Sequence, residues 1–488
     1  MDRRTKIVAT LGPATNDQHM IERLMKAGVN VVRLNFSHGT HDEHAARIAA
    51  LRQASEQLGL AITLLQDLQG PKIRTGEITG GSANLTQGQS FVLTTRPVPG
   101  DEHMVSVDVE DLPNSVHPGG RILLDDGNLE LAVVGVTKDT VETKVVLGGA
   151  LKPHKGVNLP GAKLNIPSFT EKDEEDLKFG LESGIDAVAM SFVRTAGDVV
   201  RVRQAINRLV PDRKNTTIIA KLERPEALDN LDAILEVTDG VMVARGDLGV
   251  EMSPESVPIA QKQIIEAANR KGRVVITATQ MLESMINSPR PTRAEASDVA
   301  NAIFDGTDAV MLSGETAVGK YPVQSVEMMD AIIRKAEAQF SRWGRWAGDV
   351  DETPDFDGPA ADARHDDALS TTRAARELAH DRNVAAIAIF TQTGRTARLM
   401  SKARPGVPIL AFTPEKSTYQ QCAMLWGVIP YLVPYASTLE AMIKDIEEAI
   451  ISETPLQPCQ QVVLVSGFPV GALRPPNFAM LHTIGEKC

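Results

Sequence analysis

The 488-residue sequence has few cysteines, no long apolar run and no excess of positive charge. Its three cysteines, Cys422, Cys459 and Cys488, have no metal-ligand spacing, so we expect free thiols in a reducing cytoplasm. Without a run of about 18 apolar residues we expect no membrane span, and the apolar segment after the charged N-terminus is too short for a signal peptide. The net charge of −12 argues against nucleic acid or an anionic membrane as the main partner. We therefore expect a cytoplasmic protein of about three domains.

Eight short apolar runs, each ending in polar residues, recur along the chain and predict β-strands. They cover residues 6–12, 30–36, 62–69, 186–192, 216–223, 240–247, 274–280 and 309–315. Amphipathic helical segments lie between most of them, and eight strands alternating with helices predict a (β/α)8 TIM barrel. An open, doubly wound sheet is the alternative, because the number of strands does not show that the sheet closes.

Two regions depart from this alternation. Residues 71–167 are rich in Val, Thr, Gly and Pro and lack a helical period, which predicts an all-β insert after the third strand. An insert at that end of a barrel can cover the ligand site as a lid. An acidic linker with prolines at 349–367 precedes another series of helices and strands, which predicts a C-terminal α/β domain over 346–488. The barrel then comprises residues 1–70 and 168–345.

Polar and charged side chains stand at the carboxyl ends of the predicted barrel strands, where parallel sheets place their ligands. Taken alone, each could be a solvated strand end or a helix cap, but together they indicate a site. Glu223 and Asp247 offer the carboxylate oxygens that Mg²⁺ or Mn²⁺ prefers. Lys221 and Arg33 can neutralise a phosphoryl group during its transfer. The whole set comprises Arg33, Asn35, Ser37, Asp67, Arg74, Ser191, Lys221, Glu223, Arg245, Gly246, Asp247, Thr279, Gln280, Ser313 and Glu315.

Three smaller residues extend the chemistry of this set. Gly246 lets backbone N–H groups approach a carboxylate or a phosphate, and the hydroxyls of Thr279 and Ser313 can position a water or relay a proton. The chain contains neither a GxxxxGK[ST] nor a GxGxxG motif, so a nucleotide would not be bound as in P-loop or Rossmann proteins. The pattern favours a metal-dependent enzyme with an anionic, phosphate-bearing substrate.

Six motifs resemble those of the pyruvate kinase family. They are NFSHG at 35–39, DLQGPKIRTG at 67–76, KLE at 221–223, MVARGDLGVE at 242–251, ATQMLESM at 278–285 and LSGET at 312–316. The resemblance covers essentially the whole chain with the same order of domains. It implies transfer of the phosphoryl group of phosphoenolpyruvate to ADP, giving pyruvate and ATP, and it implies a C-terminal regulatory domain and a homotetramer.

The resemblance also implies roles for single residues. Lys221 would stabilise the phosphoryl group and the enolate, Arg33 would contact the phosphate, and Glu223 and Asp247 would hold the metal. Further substrate contacts are implied for Ser191, Gly246, Asp247 and Thr279, and nucleotide contacts for Asn35, His38, Arg74 and Lys155. Water relayed by Thr279 or Ser313 would protonate the enolate, and the choice between them stays open.

The segment after the third strand departs from many pyruvate kinases. Those enzymes need K⁺, held by residues that match Asn35, Ser37 and Asp67, and usually read Asp-Thr-Lys-Gly-Pro-Glu where this chain reads DLQGPK. Leu68 removes a hydroxyl ligand, and Lys72 replaces a carboxylate by a fixed ammonium group, as in the K⁺-independent members. We therefore expect that K⁺ is not required; the alternative is that Lys72 is an exposed loop charge.

A cluster of three histidines has two interpretations. His38, His41 and His44 recur at a spacing of three, which could suggest a zinc site. Thr40 and Glu43, however, form the capping-box pattern that opens a helix, and we prefer this second interpretation.

A loop in the C-terminal region, TQTGRT at 391–396, has the hydroxyls, the arginine and the free helix N–H groups that suit a phosphate. A plain turn is the alternative, but in the pyruvate kinase family such a loop binds a phosphorylated effector. The other loop, 466–474, adds only one arginine and lacks the tryptophan common in relatives that respond to fructose 1,6-bisphosphate. We therefore expect a sugar monophosphate or AMP as the effector, bound by Thr391, Gln392, Thr393, Gly394, Arg395, Thr396 and Arg474.

Two other functions fit parts of the pattern. A metal-dependent carbon–carbon lyase also uses a Glu/Asp metal pair, but it has no need of an insert that carries nucleotide contacts such as Arg74 and Lys155. A non-catalytic phosphosugar sensor would not need Lys221, Glu223 and Asp247 together.

Overall fold

Eight parallel strands form a closed barrel among residues 3–162, 166–339 and 367–485, which are those that the computed structural model describes. Numbered first to eighth in chain order, they are Lys6–Thr10, Val31–Asn35, Thr63–Asp67, Ala187–Met190, Thr217–Leu222, Gly240–Ala244, Val274–Ala278 and Ala309–Leu312. Lys6 of the first strand lies opposite Ala309 of the eighth, which closes the sheet. The predicted TIM barrel is confirmed, and the open sheet is excluded.

Some of the helices around the barrel begin and end at residues with recognisable capping chemistry. Thr40 and Thr292 each accept a hydrogen bond from the backbone N–H three residues on, and Glu43 Oε2 accepts one of 3.1 Å from the Thr40 N–H. The predicted capping box is therefore present. Gly59 and Gly306 end their helices in the left-handed region, which glycine adopts without strain. The barrel helices are Gln18–Ala27, His41–Leu58, Glu171–Glu182, Ala196–Leu209, Pro225–Asp229, Leu231–Val237, Arg245–Glu251, Val257–Arg270, Arg293–Asp305, Gly314–Ala317 and Pro322–Glu337.

The insert between the third and fourth barrel strands is a β-domain with its own core, in which Phe91, Leu93, Ile122 and Leu131 are buried. A sheet of six strands has the order Val157–Asn158, Arg121–Leu124, Leu129–Val136, Thr140–Leu147, Ser90–Thr94 and Met104–Ser106, and Ala83–Leu85 pairs with Gly149–Leu151. Two short segments depart from the all-β prediction, the helix Leu112–Ser115 and the 3-10 helix Thr79–Gly81.

The C-terminal domain is a second α/β unit, as predicted. Its sheet has the order Val428–Leu432, Ile409–Thr413, Ala386–Phe390, Gln461–Ser466 and Phe478–Thr483, with helices Asp367–Asp381, Arg395–Lys402, Lys416–Cys422 and Leu439–Glu453. The last strand, which is antiparallel to its neighbour, was not predicted. The predicted linker at 349–367 lies outside the described residues except for Asp367, and the domain boundaries stay a prediction.

The cysteines behave differently from one another. Cys422 is free, as expected; it is also buried, and burial raises the pKa of its thiol to about 12. Cys459 is disulfide-bonded, so the prediction of a free thiol is wrong at this position. The odd number and irregular spacing of the cysteines could not show which sulfur atoms the fold brings together.

The C-terminal domain contacts the amino ends of the barrel strands, opposite the predicted site. Lys6 at the start of the first strand donates a hydrogen bond of 2.6 Å to the carbonyl of Val428. Asp308, just before the eighth strand, forms ion pairs with Lys402 and Arg404. None of the helices in the described ranges has the length and apolarity needed to span a bilayer.

Candidate active site

Lys221 is the centre of a buried cluster at the carboxyl ends of the barrel strands. Its Nζ donates to Ser191 Oγ at 2.7 Å and lies 2.8 Å from Glu223 Oε1 and 3.2 Å from Asp67 Oδ1. These contacts join the segments at the ends of the third, fourth and fifth strands. Burial favours the neutral amine, but Asp67 and Glu223 outweigh it and raise the pKa of Lys221 above its usual value. Lys221 is therefore a fixed cation rather than a proton donor at neutral pH.

Arg33 from the second strand joins this cluster through Asp67. Its Nε lies 2.5 Å from Asp67 Oδ2, and its Nη1 donates to Thr10 Oγ1 at 3.3 Å. Burial alone would raise the pKa of Asp67, but the charges of Lys221 and Arg33 outweigh it and hold that pKa below its usual value. Asp67 is thus an ionised carboxylate that aligns Arg33 and Lys221 at the carboxyl ends of the barrel strands.

Glu223 and Asp247 form the predicted carboxylate pair. Glu223 is buried, and its Oε2 accepts a hydrogen bond of 2.7 Å from the N–H of Phe192. Burial raises the pKa of Glu223, Lys221 opposes this shift, and the negative charge of Asp247 adds to it. Two carboxylates close enough to repel each other offer the hard oxygen donors that a divalent cation would hold together, so the residues present fit such an ion.

Phe192 was not predicted as a site residue, and only the structure shows its part. Its backbone lies in the left-handed region at φ 54°, which is uncommon for a residue with a Cβ atom. This conformation presents its N–H to Glu223. No signal in the sequence marks a backbone donor of this kind.

The hydroxyl of Thr279 is already engaged. It accepts a hydrogen bond of 2.7 Å from the Gly246 N–H and donates one of 2.7 Å to the Ala278 carbonyl. Thr279 and Gln280 both have positive φ values, of 66° and 54°, and such strain is typical of functional sites. Arg245 supports this loop by donating to the Thr279 carbonyl at 2.7 Å.

Ser313 lies at the end of the eighth strand in a different environment. Its N–H donates to Glu315 Oε2 at 2.7 Å, and Glu315 Oε1 accepts from the Leu282 N–H at 3.0 Å. The Ser313 hydroxyl is buried and has no hydrogen-bond partner among the described residues. Glu315 therefore fixes the loops after the seventh and eighth strands, whereas the hydrogen-bonding capacity of the Ser313 hydroxyl is unused among the described residues.

The insert brings the predicted nucleotide contacts Arg74 and Lys155 together. Arg74 pairs with Gly156 in an antiparallel bridge, and its Nη1 donates to the His154 carbonyl at 3.1 Å. Lys155 Nζ lies 2.6 Å from Asp125 Oδ1, an ion pair that a phosphate would have to displace. A basic patch thus stands where the insert meets the barrel.

His38 lies beside this patch on the loop after the second strand, which ends at Asn35. Partial burial and the charges of Arg74, Lys72 and Arg33 lower the pKa of His38. Asn35 Oδ1 accepts a hydrogen bond of 3.2 Å from the N–H of Ser37. A neutral His38 among cations is compatible with the nucleotide contact that was predicted.

Lys72 lies at the junction of barrel and insert. Its side chain is half-buried against Gly156, where an added Cβ atom would lie 3.3 Å from Cε. It is therefore not a fully exposed loop charge. In the described part of the chain, no hydrogen bond or ion pair joins Lys72 to Asn35, Ser37 or Asp67.

The other histidines of the cluster are structural. His41 Nε2 lies 2.7 Å from Asp176 Oδ1, and its ring stacks on Phe179. His44 hydrogen-bonds the His38 carbonyl at 3.0 Å. The described residues contain no group of three or more potential metal ligands, so the zinc alternative gains no support.

In the C-terminal domain the two loops considered as effector sites face one pocket. It is lined by Phe390, Thr391, Gln392, Thr393, Arg395, Thr396, Ser466, Gly467, Gly471, Ala472, Leu473, Arg474, Pro475 and Pro476. Gly394 has a φ of 77° and donates its N–H to Thr391 Oγ1 at 3.0 Å, which shapes the turn before helix Arg395–Lys402.

Comparison with known proteins agrees with this geometry. Residues 2–326 match the family model "Pyruvate kinase, barrel domain", and residues 370–482 match "Pyruvate kinase, alpha/beta domain". Pyruvate kinases of Staphylococcus epidermidis and Geobacillus stearothermophilus are each 43% identical, and the matches cover 99% and 100% of this chain and 81% of each relative. The crystal structure of a pyruvate kinase from Cryptosporidium parvum superposes with a TM-score of 0.90 at 34% identity, covering 99% of this chain and 97% of that one.

Proposed function

The chain belongs to the pyruvate kinase family, and from this premise we propose that the Lys221 cluster transfers the phosphoryl group of phosphoenolpyruvate to ADP under the control of a phosphorylated effector. The observation that carries the proposal is the position of Lys221 between Asp67, Ser191 and Glu223. A buried cation held from three sides needs no reorganisation when negative charge develops beside it.

The reaction breaks the bond between phosphorus and the enol oxygen and forms one to a terminal oxygen of ADP. Arg33 and Lys221 supply fixed positive charge to the phosphoryl oxygens and to the enolate oxygen. Asp67 keeps both cations in place, because it contacts each of them. Glu223 and Asp247 would hold Mg²⁺ or Mn²⁺, which supplies further positive charge to the substrate oxygens when bound. Ser191, Gly246 and Thr279 complete the proposed substrate contacts.

The enolate must then take up a proton at carbon. Thr279 uses its hydroxyl for Gly246 and Ala278, whereas the buried Ser313 hydroxyl has no partner among the described residues. This difference favours Ser313 as the group that relays a proton from water. Asn35, His38, Arg74 and Lys155 would bind the phosphates of ADP beneath the insert.

A coupled assay of pyruvate release tests the function. Pyruvate should form from phosphoenolpyruvate only when ADP and a divalent cation are both present, with one ATP for each pyruvate. Release of pyruvate without ADP would show transfer of the phosphoryl group to water instead of ADP, and no release under any condition would favour the lyase or the sensor. Light scattering of the purified protein tests the homotetramer that the family implies.

We expect activity without K⁺. The half-buried ammonium of Lys72 at the junction of barrel and insert supplies a positive charge near His38 and the proposed nucleotide site. In buffer that contains Mg²⁺ but neither Na⁺ nor K⁺, wild-type turnover should be close to maximal. Lys72→Glu, ideally combined with Leu68→Thr, should make turnover depend on K⁺.

Leu68 is buried, so the melting temperature of the double variant must be measured beside its activity. Lys138→Glu, which makes the same charge change at an exposed position of the insert, should stay independent of K⁺. A wild-type enzyme that K⁺ activates many-fold would contradict the proposal.

We expect the C-terminal pocket to bind a monophosphate such as glucose 6-phosphate, ribose 5-phosphate or AMP. The loop 391–396 can hold one phosphate, whereas the second loop adds Arg474 as its single basic residue. Arg395→Ala should weaken activation while sparing turnover at saturating phosphoenolpyruvate, and Arg382→Ala at an exposed position of the same domain should leave activation unchanged. Each compound is titrated at low phosphoenolpyruvate, and activation by fructose 1,6-bisphosphate alone would count against this prediction.

Contacts between the domains support an effect of the pocket on the barrel. Thr418 Oγ1 donates to the Gln392 carbonyl of the effector loop at 2.7 Å. Two residues later, Gln420 accepts from the Ile62 N–H at 2.7 Å and from the Thr63 hydroxyl at 2.6 Å. Thr63 begins the strand that ends at Asp67. Thr418 and Gln420 belong to helix Lys416–Cys422. A shift of this helix can therefore reach Asp67, which aligns Arg33 and Lys221, with a coupling free energy between effector pocket and barrel of typically about 1–3 kcal/mol.

A further inference from the structure

Glu251 is a buried carboxylate to which the proposed reaction gives no role. It ends the helix Arg245–Glu251, and its side chain is 4% exposed. Its Oε1 accepts a hydrogen bond of 3.0 Å from Asn158 Nδ2 and lies 3.4 Å from Arg224 Nη2. Burying a charged group costs free energy, so a buried carboxylate is expected to have a specific partner and a specific role.

The pair of Arg224 and Glu251 connects the two segments that carry the proposed metal ligands. Arg224 directly follows Glu223, and Asp247 lies in the first turn of the helix that Glu251 ends. Arg224 is buried, and its Nε has no hydrogen-bond partner among the described residues. The nearest other carboxylate, that of Glu226, lies 3.9 Å from Nη1. Glu251 is therefore the main contact that fixes the Arg224 guanidinium.

Asn158 extends the connection to the insert, because it lies in the strand Val157–Asn158. Asn158, Arg224, Asp247 and Glu251 line one cleft between the insert and the barrel. Glu251 Oε1 therefore contacts both Asn158 of the insert and Arg224, which follows Glu223.

We propose that Glu251 is a positioning residue that sets the relative position of Glu223 and Asp247 and couples it to the position of the insert. The inference rests on the proposed role of these two carboxylates as metal ligands. Groups that orient metal ligands from outside are often nearly as important for affinity as the ligands themselves.

The decisive test is the charge-balanced variant Arg224→Met/Glu251→Gln. It removes one positive and one negative charge, so an effect of net charge alone would leave metal affinity unchanged. Loss of the positioning contact should weaken binding of Mn²⁺ to the substrate-free protein by about 10–100-fold, measured by electron paramagnetic resonance. An affinity within about twofold of wild type would overturn the proposal.

Controls separate this outcome from other causes. Glu255→Gln, at an exposed position in the following turn, should bind Mn²⁺ like wild type. If the double variant loses its native circular dichroism, Arg224→Lys keeps the charge but not the planar fork; weakened Mn²⁺ binding there supports the proposal, and wild-type affinity overturns it. If Glu223→Gln also binds Mn²⁺ like wild type, the proposed metal site fails, and the inference fails with it. If only Glu223→Gln weakens binding, the inference alone fails.

Asn158→Ala tests the connection to the insert. This variant keeps the ion pair, so Mn²⁺ affinity of the substrate-free protein should stay within about twofold of wild type. The KM for ADP should rise several-fold with little change in kcat, because the insert loses a contact that holds it against the barrel. An unchanged KM for ADP would show that Glu251 does not couple the insert to the site.

Discussion

Lys221→Met is expected to lower turnover by about 10²–10³-fold or more while the fold stays intact. The side chain is 11% exposed and contacts Asp67, Ser191 and Glu223, so solvent cannot replace its charge in the variant. Methionine fills a similar volume, which limits the effect on packing. The measurements are kcat in the coupled assay and the near-UV circular dichroism of the variant.

Metal binding should survive this substitution. Asp67 keeps Arg33 as a partner, and Glu223 keeps the N–H of Phe192. Removal of a cation beside Glu223 should leave Mn²⁺ affinity equal to that of wild type or higher. Lys444→Met, at a side chain that is 74% exposed, is the matched control and should retain full turnover. If Lys221→Met keeps a tenth of wild-type turnover, this residue is not the group that stabilises the phosphoryl transfer.

The barrel could be predicted from the sequence because each strand has the same local pattern. An apolar run that stops at a charged residue marks both the buried strand and its ligand-bearing end, as in residues 217–223. The strand Phe478–Thr483 lacks this pattern, since most of its residues are only partly buried at the edge of the sheet. Its position depends on pairing with Gln461–Ser466, which local patterning does not indicate.

The charged residues of the site could be predicted for the same reason, but their mutual contacts could not. Thr279 and Ser313 look equivalent as hydroxyls at strand ends, yet one is fully engaged and the other has no partner in the described ranges. Asn158, Arg224 and Glu251 come from three distant segments, and no spacing in the sequence relates them. Closure of the barrel and docking of the insert bring them together.

The opposite end of the barrel shows the same dependence on tertiary contacts. Asp308 precedes the eighth strand and is 1% exposed. Its Oδ2 lies 2.5 Å from Lys402 Nζ and accepts from the Val275 N–H at 2.8 Å, and its Oδ1 lies 2.7 Å from Arg404 Nη2. A single carboxylate thus forms ion pairs with two buried cations of the C-terminal domain.

Asp308→Asn is expected to destabilise the protein by about 3–5 kcal/mol, because it leaves buried cations without their carboxylate. The side-chain amide of the variant also offers only one oxygen acceptor where Lys402, Arg404 and the Val275 N–H all donate, and its N–H₂ group then faces another donor. Burial already lowers the pKa of Lys402 to about 8, against the opposing effect of Asp308, and the variant should lower it further. The unfolded chain binds the Lys402 proton more tightly than the folded chain, so stability rises with pH above the folded-state pKa of Lys402. Because that pKa is lower in the variant, its stability should begin to rise at lower pH, and the difference in stability from wild type should narrow as pH approaches 8.

Urea unfolding between pH 6 and pH 9 measures this effect. Circular dichroism follows the whole protein, and the fluorescence of Trp426, which stacks under Arg404 at 4.3 Å, follows the domain interface once Trp343 and Trp346 are replaced by Phe. Glu448→Gln removes one partner of an exposed ion pair and should leave the midpoint unchanged. We expect the fluorescence of Trp426 to report unfolding at a lower urea concentration in Asp308→Asn than in wild type. The reason is that the substitution weakens the contact of Asp308 with Arg404, which lies over the Trp426 ring. Equal midpoints for the variant and wild type at pH 6 would show that Asp308 does not stabilise this interface.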